Sequence, residues 1–410
     1  MGKRMQTIHN TEIKGSSAPI SSWALPTLTF LFFIWGFITC LNDILIPHLK
    51  AVFDLTYTQA MLIQFCFFSA YFVVSLPAGA LINKLGYQKG IVIGLAIAGF
   101  GTLNFIPAAS FHSYAWFLAA LFVLASGITI LQVAANPYVT VLGNPKTASS
   151  RLTMTQAFNS LGTTVAPMIG AALILSQLDS TEGADAVQLP YLVLTIALFA
   201  VAFIFSRLNL PVVENTTAAE KISIKALLPY NHLWLGALGI FMYVGAEVAI
   251  GSVMVNFIAL PEITGLPIAE AAHYVTWYWF GAMIGRFAGA VLMQRINPGL
   301  LLTIHAVAAI LLLVLVITGQ GQLALFALLL VGVANSIMFP TIFSLALHGL
   351  GKYTSQGAGL LCLAIVGGAL VPVAQGMLAD SFGLALSFIL PVFCYFYICY
   401  FGLRSRKVTS

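Results

Sequence analysis

The stretch "LPTLTFLFFIWGFITC" (residues 25–40), followed without a break by "LNDILIPHLK" (41–50), decides how the chain is read. Sixteen residues without a charge are most of a membrane span, which takes about 20. Asn42 and Asp43 then fall inside what is still the same helix. A carboxylate in hydrocarbon costs about 3 kcal/mol or more unless it faces a cavity or a partner. A helix that carries one marks a pathway rather than a simple anchor.

The whole chain repeats that pattern. Hydrophobic residues make up 60% of the 410 and charged residues 7%, against roughly 25% charged in a soluble domain. The net charge of +5 is therefore no nucleic-acid footprint. Cys40, Cys66, Cys362, Cys394 and Cys399 all sit in apolar segments, which suggests neither disulfides nor a metal site. Residues 1–22 are polar, lack an apolar cleavable core and are expected to form a soluble tail rather than a signal peptide.

Apolar runs predict twelve helices, at 23–49, 59–83, 88–109, 113–142, 151–177, 188–209, 231–259, 270–294, 298–319, 322–348, 354–380 and 383–402. Charge tests the count. Lys84, Lys89, Lys146, Arg151, Arg207, Lys221, Lys225, Arg295, Lys352 and Arg404 fall in alternate loops or at the C-terminal end. Asp54, Asp179, Glu182, Asp185, Glu262, Glu270 and Asp380 fall on the other side, where Lys50 is the lone basic residue. The positive-inside rule then puts both termini in the cytoplasm.

The longest connection, 210–230, is expected to be a cytoplasmic linker between six-helix units at 23–209 and 231–402, with a tail at 403–410. The halves echo each other. "AGALINKLG" (78–86) parallels "AGAVLMQRI" (288–296), and "GTTVAP" (162–167) parallels "GGALVP" (367–372). Asp43 has a loose counterpart in Glu247. Repeats related by an axis along the membrane normal place substrate and ion sites between them near the midplane. In "GAMIGRFAG", Gly281, Gly285 and Gly289 line one helix face for close packing.

Asp43 and Glu247 are the two acids outside loops and tails, and both are expected to serve ion coupling. Arg286 reads as too near the cytoplasmic end of its helix to neutralise either. Without a permanent cation, a buried carboxylate is protonated, hydrogen-bonded or holding a transient cation. Asn42, Gln64, Gln132, Asn136, Gln156 and Asn159 cluster at similar depth in the first half. Amides offer both donors and acceptors, matching the hydroxyls of an uncharged sugar; hydrogen bonding between helices is the competing use. In "HYVTWYWFG" (273–281), Trp277 is the candidate to stack on a pyranose, and His48 and His305 are expected to be structural. No phosphate-binding loop, Gly-x-Ser-x-Gly or His-Glu-x-x-His occurs, so neither an ATP-driven pump nor a hydrolase is indicated, and no cofactor.

"LNDILIPHLK", "LQVAANPYVTVLG" (131–143), "TQAFNSLG" (155–162), "IGRFAG" (284–289) and "FPTIFSLALHGLG" (339–351) resemble the fucose:proton symporter family of the major facilitator superfamily. The likeness runs over essentially all twelve helices and is greatest to its glucose/galactose and N-acetylglucosamine branch. It implies an all-α integral membrane protein with the major facilitator fold, twelve transmembrane helices in two pseudo-symmetric six-helix bundles. It also implies a non-enzymatic, monomeric hexose symporter of the bacterial inner membrane that works by alternating access. Asp43 corresponds to the family's coupling aspartate, and Asn136 and Asn159 to polar positions of its motifs.

Two departures matter. The fucose branch has an acid where this chain has Gln132, and a Gln where it has Glu247. Asn83 also replaces an Asp usual in the superfamily's loop between helices 2 and 3. The exchange of acids at 132 and 247 argues against L-fucose as substrate and leaves the coupling scheme open, while Asn83 implies a weaker charge lock in that loop. Proton is the first choice of ion, with Na+ near Asp43 the runner-up. A membrane sugar sensor that does not translocate is the rival of another class.

Overall fold

A computed structural model describes residues 23–52, 57–170, 188–211 and 224–406. The N-terminal tail, the loop acids Asp54, Asp179, Glu182 and Asp185, and the side chains of Asn42, Asp43, His48, Lys50 and Gln64 lie outside the described residues.

Twelve helical passes are traced among the described residues. In the first half they are α1 (Ala24–Val52), α2 (Tyr57–Leu85), α3 (Tyr87–Ser110), α4 (Tyr114–Val141), α5 (Ala148–Gly170) and α6 (Gln188–Arg207). In the second half they are α7 (Asn231–Ile258), α8 (His273–Leu292), α9 (Pro298–Thr318), α10 (Gly321–Leu347), α11 (Gly351–Phe382) and α12 (Leu384–Ser405). Eight of the described helices are long and apolar enough to cross a membrane on length and composition alone. Of the other four, α1 and α6 count as shorter apolar helices over the described residues, which leaves α5 and α8. Each carries polar residues on a face turned to the other half, and the two pack against each other.

The helices pack chiefly within their own halves: α3 on α4 and α6 and α1 on α5, then α7 on α11 and α12 and α9 on α10 and α12. Contacts between halves join α2 to α11, and α5 to α8 and α10. The glycines of "GAMIGRFAG" work as expected. A Cβ on Gly281, Gly285 or Gly289 would meet Val333, Ser336 or Ile337, so α8 and α10 touch nearly backbone to backbone.

Two passes are less regular than the hydropathy reading predicts. The helix in α10 stops at Asn335 and restarts at Met338. Pro340 has no N–H to give the carbonyl of Ser336, one turn earlier, so the ladder opens there. In α11, a 3-10 turn at Ala364–Val366 interrupts the helix between Leu363 and Gly367. The freed Ser336 carbonyl matters for the site.

Candidate functional site

At mid-depth, where α1, α4 and α5 face α7, α8, α10 and α11, lies a cavity of about 210 Å³. That is small beside the ~300–1,000 Å³ pockets of drug-sized ligands, a scale suited to a small polar molecule. Trp35, Gln132, Gln156 and Asn159 line it from the first half; Val244, Glu247, Arg286, Phe339, Pro340 and Ile365 line it from the second.

The first-half wall is built of amides held in place by neighbours. The α1 and α5 backbones meet at Gly36, where a Cβ would strike the carbonyl of Asn159. That approach lets Asn159 Nδ2 donate to the Phe32 carbonyl across the interface at 2.9 Å. Gln132 Nε2 donates to the Tyr71 hydroxyl on α2 at 2.6 Å. Gln156 Nε2 donates to Asn136 Oδ1 at 3.2 Å. Asn136 itself is fully buried behind Gln156, and its Nδ2 has no hydrogen-bond partner. Four of the six expected amides are therefore described, with three on the cavity and one supporting them. Asn42 and Gln64 lie on the helical backbones of α1 and α2.

The second-half wall corrects one expectation. Arg286 is not remote from the acids: its Nη2 lies 4.0 Å from Glu247 Oε1, and the two side chains are only 14% and 17% exposed. A helical side chain tilts toward its helix N-terminus, and in α8 that direction leads back toward mid-depth. The guanidinium therefore sits closer to mid-depth than the backbone position of Arg286 implies. Arg286 Nε donates to the Ser336 carbonyl, the one released by Pro340, at 3.1 Å. Its Nη1 donates to Ser160 Oγ on α5, in the other half.

Glu247 is held from behind by a buried polar cluster. Tyr243 Oη donates to Glu247 Oε1 at 2.6 Å and lies 3.2 Å from the Asn335 carbonyl. Asn335 Nδ2 donates to the Tyr278 hydroxyl at 2.8 Å, while its Oδ1 accepts from the Tyr395 hydroxyl at 2.6 Å. Asn335 is fully buried. Every polar atom named in this cluster is matched, so the acid is fixed in orientation.

A second correction concerns the aromatic. Trp277 is 62% exposed, meets Phe280 edge to face and does not line the cavity. It lies on the outer face of α8 with Phe280, Ile284 and Val291, a face suited to lipid. Trp35 takes the position on the cavity instead, tilted against Phe32 at 5.3 Å. The sequence held a signal for it: Trp35 stands seven residues, close to two helical turns, before Asn42. His305 is structural as expected, with Nδ1 3.0 Å from the Ala334 carbonyl.

One end of the cavity is shut. At the end bearing Lys84, Lys146, Arg295 and Lys352, Ser149 Oγ and Ser344 Oγ are 2.6 Å apart across the halves. Ser150 Oγ donates to the Ala290 carbonyl at 2.6 Å, and Ser355 Oγ lies 3.3 Å from the Tyr87 hydroxyl. The α2 and α11 backbones close the same end: a Cβ on Gly79 would lie 2.8 Å from the Ser355 carbonyl, and one on Gly359 2.7 Å from that of Ser75. Among the described residues no group of three or more His, Cys, Asp and Glu side chains could hold a metal ion.

Comparison with known proteins agrees with this architecture. The glucose/galactose transporter of Brucella abortus biovar 1 (strain 9-941) is 57% identical over 411 residues, covering 99% of this chain and 100% of that protein. A crystal structure of the E. coli fucose:proton symporter, FucP, matches with a TM-score of 0.86 and 33% identity, covering 93% of this chain and 98% of that one. A crystal structure of FucP in the outward conformation gives the same TM-score at 34% identity, with the same coverage. The Major Facilitator Superfamily model matches residues 27–364. The chain, a multi-pass membrane protein whose described residues form twelve helical passes around a cavity closed at one end, belongs to the Major Facilitator Superfamily of transporters.

Proposed function

We propose that the chain is a proton-coupled hexose symporter of the glucose/galactose kind, working by alternating access. The observation that carries this reading is the mid-depth cavity, with amides on one wall, an acid and a base on the other, and one end shut by bonds between the halves. The names of the relatives, a glucose/galactose transporter and a fucose:proton symporter, support sugar as cargo and the proton as driving ion.

In this reading Gln132, Gln156 and Asn159 exchange hydrogen bonds with sugar hydroxyls, and Trp35 offers a ring face to the pyranose. Asn136 positions Gln156. Asn42 and Gln64 are assigned to the same site from their place on α1 and α2. Asp43 is the coupling acid of α1, and Glu247 a second ionisable group facing the sugar. The halves, 23–209 and 231–402, rock about the cavity with 210–230 as the linker. The closed end is assigned to the cytoplasm on the charge pattern, with both termini on that side, in a bacterial inner membrane. The functional unit is a monomer.

Uptake into proteoliposomes with a panel of hexoses, under separately imposed pH and sodium gradients, tests it. Glucose or galactose should accumulate when protons are driven inward and stay at equilibrium under a sodium gradient alone. Accumulation under sodium only would favour the sodium reading. Binding without counterflow would favour a sensor.

A further inference from the structure

Arg286 touches three helices at once. It caps the open carbonyl of Ser336 in α10, faces Glu247 on α7, and donates to Ser160 on α5 in the opposite half. Ser160 Oγ itself donates to the Gln156 carbonyl at 3.0 Å, and Thr163 and Thr164 hydroxyls both donate to the Ser160 carbonyl at 2.8 Å, so the receiving end is fixed. Toward the closed end, α5, α8 and α10 carry Ser149, Ser150, Ala290 and Ser344, whose bonds across the halves shut the cavity. Phe158 and Phe287, 5.6 Å apart and edge to face, lie between the arginine and those serines in sequence along the same two helices.

We propose that Glu247, Arg286 and Ser160 form a charge-sensitive latch that holds the closed end of the cavity shut. The proposal rests on the chain being an alternating-access carrier and names the residues that tie its ion to its gate. With Glu247 ionised, the guanidinium has a counter-charge and can reach across to Ser160. With a proton on Glu247, Arg286 is a largely buried cation without its acid, which is costly. Tyr243, Tyr278 and Tyr395 are the other titratable groups around Glu247, and none supplies a negative charge to replace it in its ordinary phenol form. Separation of α8 from α5 gives the guanidinium water in place of the lost acid. Protonation and opening of the closed end then favour each other.

Labelling of a gate cysteine tests the latch without sugar and without a gradient. In a chain whose native cysteines are replaced, Ala290→Cys is buried in the closed state and leaves the Ala290 carbonyl in place for Ser150. Its reaction with a membrane-impermeant maleimide in nanodiscs is scaled to that of an exposed Lys352→Cys at each pH. From about pH 8 to about pH 5 the scaled rate should rise about fivefold or more, within the usual range of coupling between linked sites. Glu247→Gln should label fast at both pH values, as should Ser160→Ala, which removes one hydroxyl and spares the fold. Arg286→Met should do the same, while Arg286→Lys should restore part of the slow labelling at high pH. A flat, slow profile in the parent, with Glu247→Gln and Ser160→Ala indistinguishable from it, would overturn the latch. Sugar uptake would be unaffected by that result, so the symport reading stands or falls on its own assay.

Discussion

The two walls of the cavity are built from different chemistry. The first half presents Gln132, Gln156 and Asn159, uncharged groups fixed by Tyr71, Asn136 and the Phe32 carbonyl. The second half presents Glu247 and Arg286 among apolar Val244, Phe339, Pro340 and Ile365. Amides recognise hydroxyls without demanding a change of charge, whereas an acid facing a base at 4.0 Å is sensitive to a single proton. The contrast suggests a division of labour: the first half reads the sugar and the second carries much of the charge response. Asp43, on α1, is the first half's own acid and the point at which that division can be broken.

The largest expected effect therefore belongs to Asp43→Asn. Gradient-driven accumulation in proteoliposomes should collapse to equilibrium while sugar counterflow persists. Full accumulation in this variant would leave Glu247 alone as the coupling acid and make the contrast between the walls absolute.

Next comes the stability of the charged wall. Arg286→Met should cost ~3–5 kcal/mol, as breaking one side of a buried pair does, and lower the thermal midpoint in detergent. The Glu247→Gln/Arg286→Met double variant should regain much of that loss. If the double variant were no more stable than the single one, the two charges would not be coupled.

The amide wall should respond more gently. Gln156→Leu should weaken sugar binding about threefold to tenfold, the worth of roughly one uncharged hydrogen bond. Titration of intrinsic tryptophan fluorescence, with Trp35 beside the site, can read this. The same change should leave the pH dependence of gate labelling in place, which sharpens the contrast. Smallest of all is Trp277→Ala, on the outer face of α8. Initial uptake rates with this variant should stay within about twofold of the parent, as for a surface change distant from the site.

The sequence discloses some of this account more readily than the rest. Long apolar runs give the twelve passes because each must satisfy its backbone within the bilayer. Intramembrane amides and acids stand out because they are rare and costly there, which is why Gln132, Gln156, Asn159 and Glu247 can be picked out before any coordinates. Direction is harder to read. Passes that are apolar all round carry no stripe to say which face meets a partner, so the five aromatics in "HYVTWYWFG" look alike while Trp35 sits unremarked in a run of phenylalanines. The depth of the Arg286 charge is hidden from the sequence because a long side chain carries it away from its own Cα. The break in α10 was signalled by Pro340, but its consequence, a carbonyl freed for Arg286, depends on a helix packed beside it.

The central claim is that sugar and proton move together through the cavity between the halves. Sugar-induced proton movement tests it most directly, with a pH electrode recording a weakly buffered suspension of cells that express the chain. Addition of glucose or galactose should make the medium alkaline at once, and Asp43→Asn should abolish the signal while retaining counterflow. Sugar entry with no change in external pH, in cells that take the sugar up against its gradient, would contradict the account.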